Sequence, residues 1–288
     1  MAIDNRFMIK KIQSKTHLYA AYCAVTNMPL VICDEETFDD QVWLFETQEL
    51  LQEFAKPHLE KKLLLRGVEY KNRDFLKFFS SLYLMGINAL VYVGSAGEVR
   101  MQLEDLVRKP DYSKLAPQQR PVTNPNLVLT GLYFMQEAGR AVPQDEKENL
   151  QDLEEEFASN LVKSRYILAV EFLDGPGSMT EKLKNQQYRL PILKDKNGKV
   201  LQPAFTDPME FEKFSKGKKL GAIAAPFAQL SRLLVKDAEG FILNPAGFHI
   251  IMPRQLLEAL KDQFQQPEEG TDTGKENGAE DSSGTTEE

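Results

Sequence analysis

The sequence predicts a mixed α and β protein (α+β) made of two similar units, each a small mixed sheet with packed helices. Three observations predict it. The chain repeats itself: Val42-Trp43-Leu44-Phe45 leads to Leu50, Leu51 and Phe54, and Val200-Leu201-Gln202-Pro203-Ala204-Phe205 leads to Met209, Phe211 and Phe214. Phe45 and Phe205 stand 160 residues apart (205 − 45), and so do Phe54 and Phe214 (214 − 54). Self-similarity at a fixed period speaks to architecture before it speaks to chemistry. The length of 288 residues suits two units of ~100–150 residues rather than one small core. Within each half, short apolar runs alternate with stretches of helical periodicity, the pattern of interleaved strands and helices.

The second half is the clearer. Asp145 to Val162 reads as a helix, acidic outside, with Leu150, Leu153, Phe157 and Leu161 spaced to pack. Tyr166 to Leu173 is a buried strand ending at the turn Asp174-Gly175-Pro176-Gly177. Leu190 to Leu193 and Val200 to Phe205 form a hairpin around Lys196-Asn197-Gly198, because Asn-Gly accepts the positive φ angles of a two-residue loop. Asp207 caps the next helix, Pro208 fits its first turn, and Glu210 holds the capping-box position. Leu220 to Ala225 reads as another buried strand, and Pro226 opens a helix with Phe227, Leu230, Leu233 and Leu234 on one face. After Gly240, a strand reaches the sharp turn Asn244-Pro245-Ala246-Gly247, a second strand runs from Phe248 to Met252, and Pro253 begins a closing helix. That helix points Leu256, Leu257, Leu260 and Phe264 inward.

The first half follows the same plan. Ser14 to Tyr22 matches Ser164 to Phe172, and Met28 to Ile32 matches Arg189 to Leu193. Phe75, Phe78 and Leu82 match Phe227, Leu230 and Leu234, while Gly86 and Leu106 match Gly240 and Leu260. Between the halves, Pro110, Pro117, Pro121 and Pro125 mark a linker that leads into a helix from Asn124-Pro125 to Gly139. The expected divisions are residues 1–115, a linker at 116–144, a second unit at 145–264 and a disordered acidic tail at 265–288.

Charge separates the tail from the body. The net charge is −8, and the stretch 265–288 holds eight carboxylates against Lys275, leaving the remainder close to neutral. A nearly neutral body lacks the basic field that nucleic acid or an anionic membrane surface requires. The longest apolar run, Leu82 to Gly94, is shorter than the ~20 residues of a membrane span. Met1 to Arg6 opens no signal peptide, and Cys23 and Cys33 read as small core residues of a reducing, cytoplasmic setting.

No set of residues reads as a catalytic centre. His17, His58 (after Pro57, in a loop) and His249 (on a strand) lack partners at metal-ligand spacing, so no metal or cofactor is expected. Val91 to Gly97 is a strand entering a small-residue turn without the glycine spacing of a phosphate loop, and Ser95 lacks a nucleophile-elbow context. Asp207 and Glu210 are explained by capping, and Lys216 to Lys219 by a solvated basic turn. The most distinctive polar element is the Asn244–Gly247 turn. There Asn244, preceding proline, is expected to be extended and Gly247 to supply freedom. If a ligand site exists, it is expected there and along the Phe205–Asp207 edge, from Asn244, Gly247, Phe205 and Asp207.

The run Pro203 to Pro208, then Ala225-Pro226-Phe227 with Leu230 and Leu233-Leu234, then Gly240 with Asn244-Pro245-Ala246-Gly247, resembles the N-terminal domain of the enhanced serine sensitivity protein SseB family. The resemblance spans about Leu190 to Leu260. The first half resembles a degenerate copy, in which Gly94-Ser95-Ala96-Gly97 replaces the Asn-Pro-x-Gly turn. The resemblance implies a bacterial cytosolic α+β protein, carries over no catalytic residues, and suggests only a loose link to serine tolerance. The expectation is a non-enzymatic module that binds a protein partner or regulates metabolism. The alternative is a small-molecule sensor for an amino acid or nucleotide, or a weak enzyme, with its site near Asn244–Gly247.

Overall fold

Two sheets with the same strand order organise the chain in a computed structural model that describes residues 5–173, 178–185 and 187–265. The expected turn at Asp174–Gly177 and the acidic tail past Gln265 lie outside the described residues. The first unit runs α1 (Asn5–Ser14), β1 (His17–Cys23), β2 (Met28–Pro29), β3 (Val31–Cys33), β4 (Asp40–Phe45), α2 (Gln48–Glu60), β5 (Leu65–Lys71), α3 (Phe75–Leu82), β6 (Ala89–Gly94), β7 (Gly97–Gln102) and α4 (Leu103–Leu106). Helix α5 (Pro125–Ala138) follows. The second unit runs α6 (Leu150–Lys163), β8 (Arg165–Phe172), α7 (Met179–Lys184), β9 (Tyr188–Arg189), β10 (Leu193–Lys194), β11 (Val200–Phe205), α8 (Pro208–Ser215), β12 (Gly221–Pro226), α9 (Phe227–Leu233), β13 (Gly240–Leu243), β14 (Ile250–Pro253) and α10 (Arg254–Gln265).

In the first sheet β4 lies between β1, antiparallel, and β6, parallel; β5 closes one edge on β1 and β7 the other on β6. The second sheet repeats this with β11 between β8 and β13, β12 on β8 and β14 on β13. The class is mixed α and β, with each parallel pair bridged by a helix-containing crossover as the geometry of parallel strands demands.

Strand register fixes which positions correspond. Phe45 pairs with Tyr19, and Phe205 pairs with Ile167. The two phenylalanines therefore hold the same place, and each meets its helix the same way: Phe45 lies 5.1 Å from Phe54, and Phe205 lies 5.2 Å from Phe214, ring centre to ring centre. Elsewhere the register corrects the sequence matching. Tyr19 corresponds to Ile167, so β1 and β8 are offset by 148 (167 − 19), two residues from the alignment of Ser14–Tyr22 with Ser164–Phe172. A two-residue slip keeps every side chain on its own face, so the hydrophobic pattern alone does not detect it. Gly240, opposite Leu201, corresponds to Ala89, opposite Gln41, and not to Gly86. Leu106 likewise corresponds to Leu257 rather than Leu260, since Gln102 and Pro253 hold equivalent places one residue before each helix.

The core is not divided at the linker. One hydrophobic cluster collects Leu18, Val42, Leu44 and Leu90 from the first sheet, Leu168, Ala204 and Leu243 from the second, and Leu127, Val128 and Leu132 of α5 between them. The opposite face of the first sheet has its own cluster under α2, around Phe45 and Leu51. That of the second has one under α8, around Ile167, Ala169 and Phe205. The units are not separately cored: α5, read from sequence as part of a linker, is a buried structural member.

Local corrections have simple causes. Pro57 and His58 lie inside the last turn of α2, not in a loop, and His58 Nδ1 stands 3.0 Å from the Phe54 carbonyl. In the β10–β11 hairpin only Gly198 takes a positive φ, 83°, and Asp195 Oδ1 accepts from the N–H groups of Asn197 and Lys199; the loop is longer than a two-residue turn. Strand β12 is a sheet edge with exposed Ala222 and Ala224 rather than a buried strand. Leu256 is exposed, Cys33 is exposed, and His249 sits in the turn before β14 with φ 39°.

Phe205 is fully buried and Phe227 nearly so. Each replacement by alanine is expected to cost about 3–5 kcal/mol in urea unfolding; losses under about 1 kcal/mol would show that these side chains do not carry the core.

Candidate functional site

The end of β11 and the end of β13 are held together by Asn244. In the first sheet the equivalent strand, β6, continues straight, and the Glu46 N–H donates to the Val93 carbonyl at 2.9 Å. In the second sheet the chain turns away at Asn244, which takes φ 47°, the left-handed region rather than the extended backbone expected before proline. Asparagine tolerates that region because its side chain can bond locally. Here it does so across strands. Thr206 N–H donates to Asn244 Oδ1 at 3.0 Å, and Asn244 Nδ2 donates to Thr206 Oγ1 at 2.8 Å. The side chain stands in for the carbonyl that a continuing strand would have offered. Asn244 is buried, with its own N–H donating to the Ala204 carbonyl at 2.9 Å.

Thr206 passes the connection on: its hydroxyl donates to Asp207 Oδ2 at 2.7 Å. Asp207 Oδ1 accepts from the N–H groups of Met209 and Glu210 at 2.9 and 3.0 Å, the N-cap expected from sequence. Glu210 does not complete a capping box. Its carboxylate pairs with Lys213 through Oε1, while Oε2 is buried without a hydrogen-bond partner against Gly247. A Cβ on Gly247 would lie 2.7 Å from Glu210 Oε2, so the glycine leaves room for that carboxylate rather than supplying backbone freedom. Burial pushes the Glu210 carboxyl above the usual range, against the lowering pull of Lys213.

Asn244, Asp207 and Glu210 line one side of a cavity of about 400 Å³ between the two units. Across it stand Tyr22, Tyr70 and Phe78 of the first unit, with the Tyr70 ring tilted against that of Phe78, 4.2 Å centre to centre, and its hydroxyl bonded to that of Tyr22. Met28, Met85, Val128 and Phe248 make the floor apolar. At the mouth, Glu69 and Lys77 are exposed and have no ion-pair partner among the described residues, while Lys213 is tied to Glu210. Of the four residues expected from sequence, Asn244 and Asp207 reach the cavity. Phe205 is packed in the α8 cluster, and Gly247 supports Glu210 from behind. Sequence reasoning missed Tyr22, Glu69, Tyr70 and Lys77, which no local spacing connects to Asn244.

The other polar candidates stay apart from the cavity. Gly94 pairs with Gly97 across Ser95-Ala96 in a tight hairpin, and Ser95 N–H donates to Glu46 Oε2. Glu46, also bonded to Lys15 and Tyr92, is held at about 2, well below the usual carboxylate value. Among the described residues no group of three or more His, Cys, Asp or Glu side chains could hold a metal ion, and no helix is long and apolar enough to cross a membrane.

The fold and the cavity define a mixed α and β protein of two sheet-and-helix units with a ligand-sized cleft between them. Residues 146–259, from just before α6 into α10, match the family model described as SseB protein N-terminal domain, which supports the SseB family for the second unit. No curated protein matches the chain. Among solved structures, the chain is similar to Tic22 from Plasmodium falciparum at 10% identity and a TM-score of 0.19, with 89% of this chain and 96% of that one covered. A likeness that low says nothing about fold or function.

A raised carboxyl stabilises the folded state fully below the ordinary glutamate pKa and loses that contribution as pH rises through the raised value. Glu210→Gln is therefore expected to be more stable than the native chain at pH 8, with the gain vanishing towards pH 4. Thermal melts across that range decide it, and a variant less stable at pH 8 would contradict the sign.

Proposed function

We propose that this chain is a non-enzymatic regulatory binding protein, of the SseB kind in its second unit, whose ligand occupies the cleft between the units. The reading takes residues 1–115 and 145–264 as copies of one fold; the shared strand order and the matching aromatic pairs support it. The copies differ at the cleft. The second contributes Asn244, Asp207 and Glu210, and the first contributes the tyrosines and the charged mouth.

The observation that carries the reading is the cavity itself: about 400 Å³, apolar-floored, with Lys77 and Glu69 at its rim, neither ion-paired among the described residues. Ligand pockets combine a mostly apolar lining with a few placed polar groups. Lys77 offers a partner for a carboxylate, Glu69 one for an ammonium group, and Phe78, Met85 and Phe248 a surface for an apolar side chain. This suits a zwitterion of amino-acid type. It does not suit a nucleotide, whose phosphates would meet Glu69, Asp74, Asp207 and Glu210 with only Lys77 and Lys213 to offset them.

A thermal-shift screen with the free amino acids and with nucleotides tests this. An apolar amino acid at a hundredfold excess over its Kd is expected to add about 2.7 kcal/mol, a rise of roughly 5–10 °C. Lys77→Ala and Glu69→Ala should each weaken binding about tenfold while leaving the ligand-free melting temperature unchanged. Stabilisation by nucleotides alone, or by no amino acid, would reject the assignment.

A further inference from the structure

Charge in the second unit is sorted by position. Strands β11 and β12 both run antiparallel to β8, so the segments entering them open at one end of the sheet, where β8 finishes. The β10–β11 hairpin brings Lys194, Lys196 and Lys199 to that end, and the turn from α8 into β12 brings Lys216, Lys218 and Lys219. All six are exposed, and none has an ion-pair partner among the described residues. Lys218 rests on the Phe214 ring, 4.1 Å from its centre. The carboxylates at this end are too few to balance them. Arg189 stands opposite Glu171 in register, and Lys236 adjoins Asp237 in the turn into β13. That leaves Asp195, Glu212 and Glu239, and Asp195 Oδ1 already accepts from the N–H groups of Asn197 and Lys199. The exposed Asp152, Glu154, Glu155 and Glu156 of α6 offset the excess elsewhere, so a near-neutral body conceals a basic end. Strand β14 returns to this same end, and α10 departs from it, the Arg254 N–H donating to the Glu239 carbonyl at 2.9 Å. The 12 residues of α10 carry the chain about 18 Å away.

We propose that the chain's own residues 266–288 cover this basic end, their carboxylates set against the six lysines. Sign and number agree: the segment holds eight carboxylates and one lysine, Lys275. Its length suffices, because 23 residues (288 − 265) reach roughly 75 Å when extended, several times the length of α10. Its composition selects the same place. It contains no Val, Leu, Ile, Met or Phe to fill an apolar groove, and a surface of lysines asks for none. Tethering holds it at an effective concentration on the order of millimolar. That favours it over the acidic α6 of a second copy and over a polyanion in solution. The contact is made between exposed charges, so salt screens it.

The test treats the full chain with a carbodiimide, which joins lysine amines to carboxylates in contact, and maps the links in the monomer by mass spectrometry. Links from the carboxylates of residues 268–288 to the six lysines are expected at least about fivefold above those to Lys10, Lys61 and Lys114, exposed lysines outside the second unit. They should fall at least about fivefold between about 0.1 M and about 1 M salt, as the screening length shrinks from about 10 Å to about 3 Å. The triple variant Lys216→Glu, Lys218→Glu, Lys219→Glu should reduce the remaining links to Lys194, Lys196 and Lys199 by a similar factor, with an unchanged circular dichroism spectrum. Links spread evenly over all exposed lysines, or indifferent to salt and to the charge reversal, would overturn the proposal. So would links formed only between copies, or saturable binding of a labelled oligothymidylate to the full chain at about 0.1 M salt, which would show the basic end open to outside polyanions.

Discussion

Helix α5 is the constraint on which the rest of the structure depends, because its two ends are bonded to different sheets. At its start, Asn124 Nδ2 donates to the carbonyls of Arg165 and Thr206, both at 2.7 Å, at the base of β8 and the end of β11. Near its end, Gln136 clamps β3: Val31 N–H donates to Gln136 Oε1 at 3.0 Å, and Gln136 Nε2 donates to the Val31 carbonyl at 2.9 Å. Tyr133 adds a bond to Asp40 Oδ1 at 2.6 Å. The Gln136 pair is buried, so removing it would strand backbone groups at ~1–3 kcal/mol each. Between these anchors Leu127, Val128 and Leu132 join the inner faces of both sheets into one core. Gly131 lets α6 approach, with Phe157 placed where a Cβ would come within 3.0 Å.

The cleft follows from this arrangement. Val128 of α5 forms part of its floor, and the same helix sets the distance between Tyr70 and Phe78 on one side and Asn244 and Asp207 on the other. The Asn244–Thr206–Asp207 chain of hydrogen bonds then fixes the second wall, leaving Glu210 buried at its back. Asn244, Thr206 and Asp207 thus serve the turn and the helix cap.

What was legible in the sequence was local or periodic. The aromatic pairs Phe45–Phe54 and Phe205–Phe214, the Asp207 cap and the helix from Pro125 were readable because each depends on near neighbours. What was not legible depends on distant partners. Composition marks α5 as a linker because prolines precede it, while its burial comes from elements on both sides in sequence. Asn244 looked extended because proline follows it, and the bond to Thr206, 38 residues away, overrides that bias. Glu210 sits where a capping box would place it, but packing against Gly247 and Lys213 takes its carboxylate elsewhere. Glu69 and Lys77 carry no local signal, since exposed charged residues on an edge strand and a short helix are ordinary until the second unit is placed opposite.

One core spans both sheets, so the chain is expected to unfold as a single cooperative unit. The direct measurement is urea unfolding followed in parallel by the fluorescence of Trp43, the only tryptophan and a residue of the first sheet, and by far-ultraviolet circular dichroism, which reports both units. Coincident transitions with one midpoint are the predicted result. A tryptophan transition displaced from the circular dichroism curve would mean that the units melt separately and that α5 does not unite them.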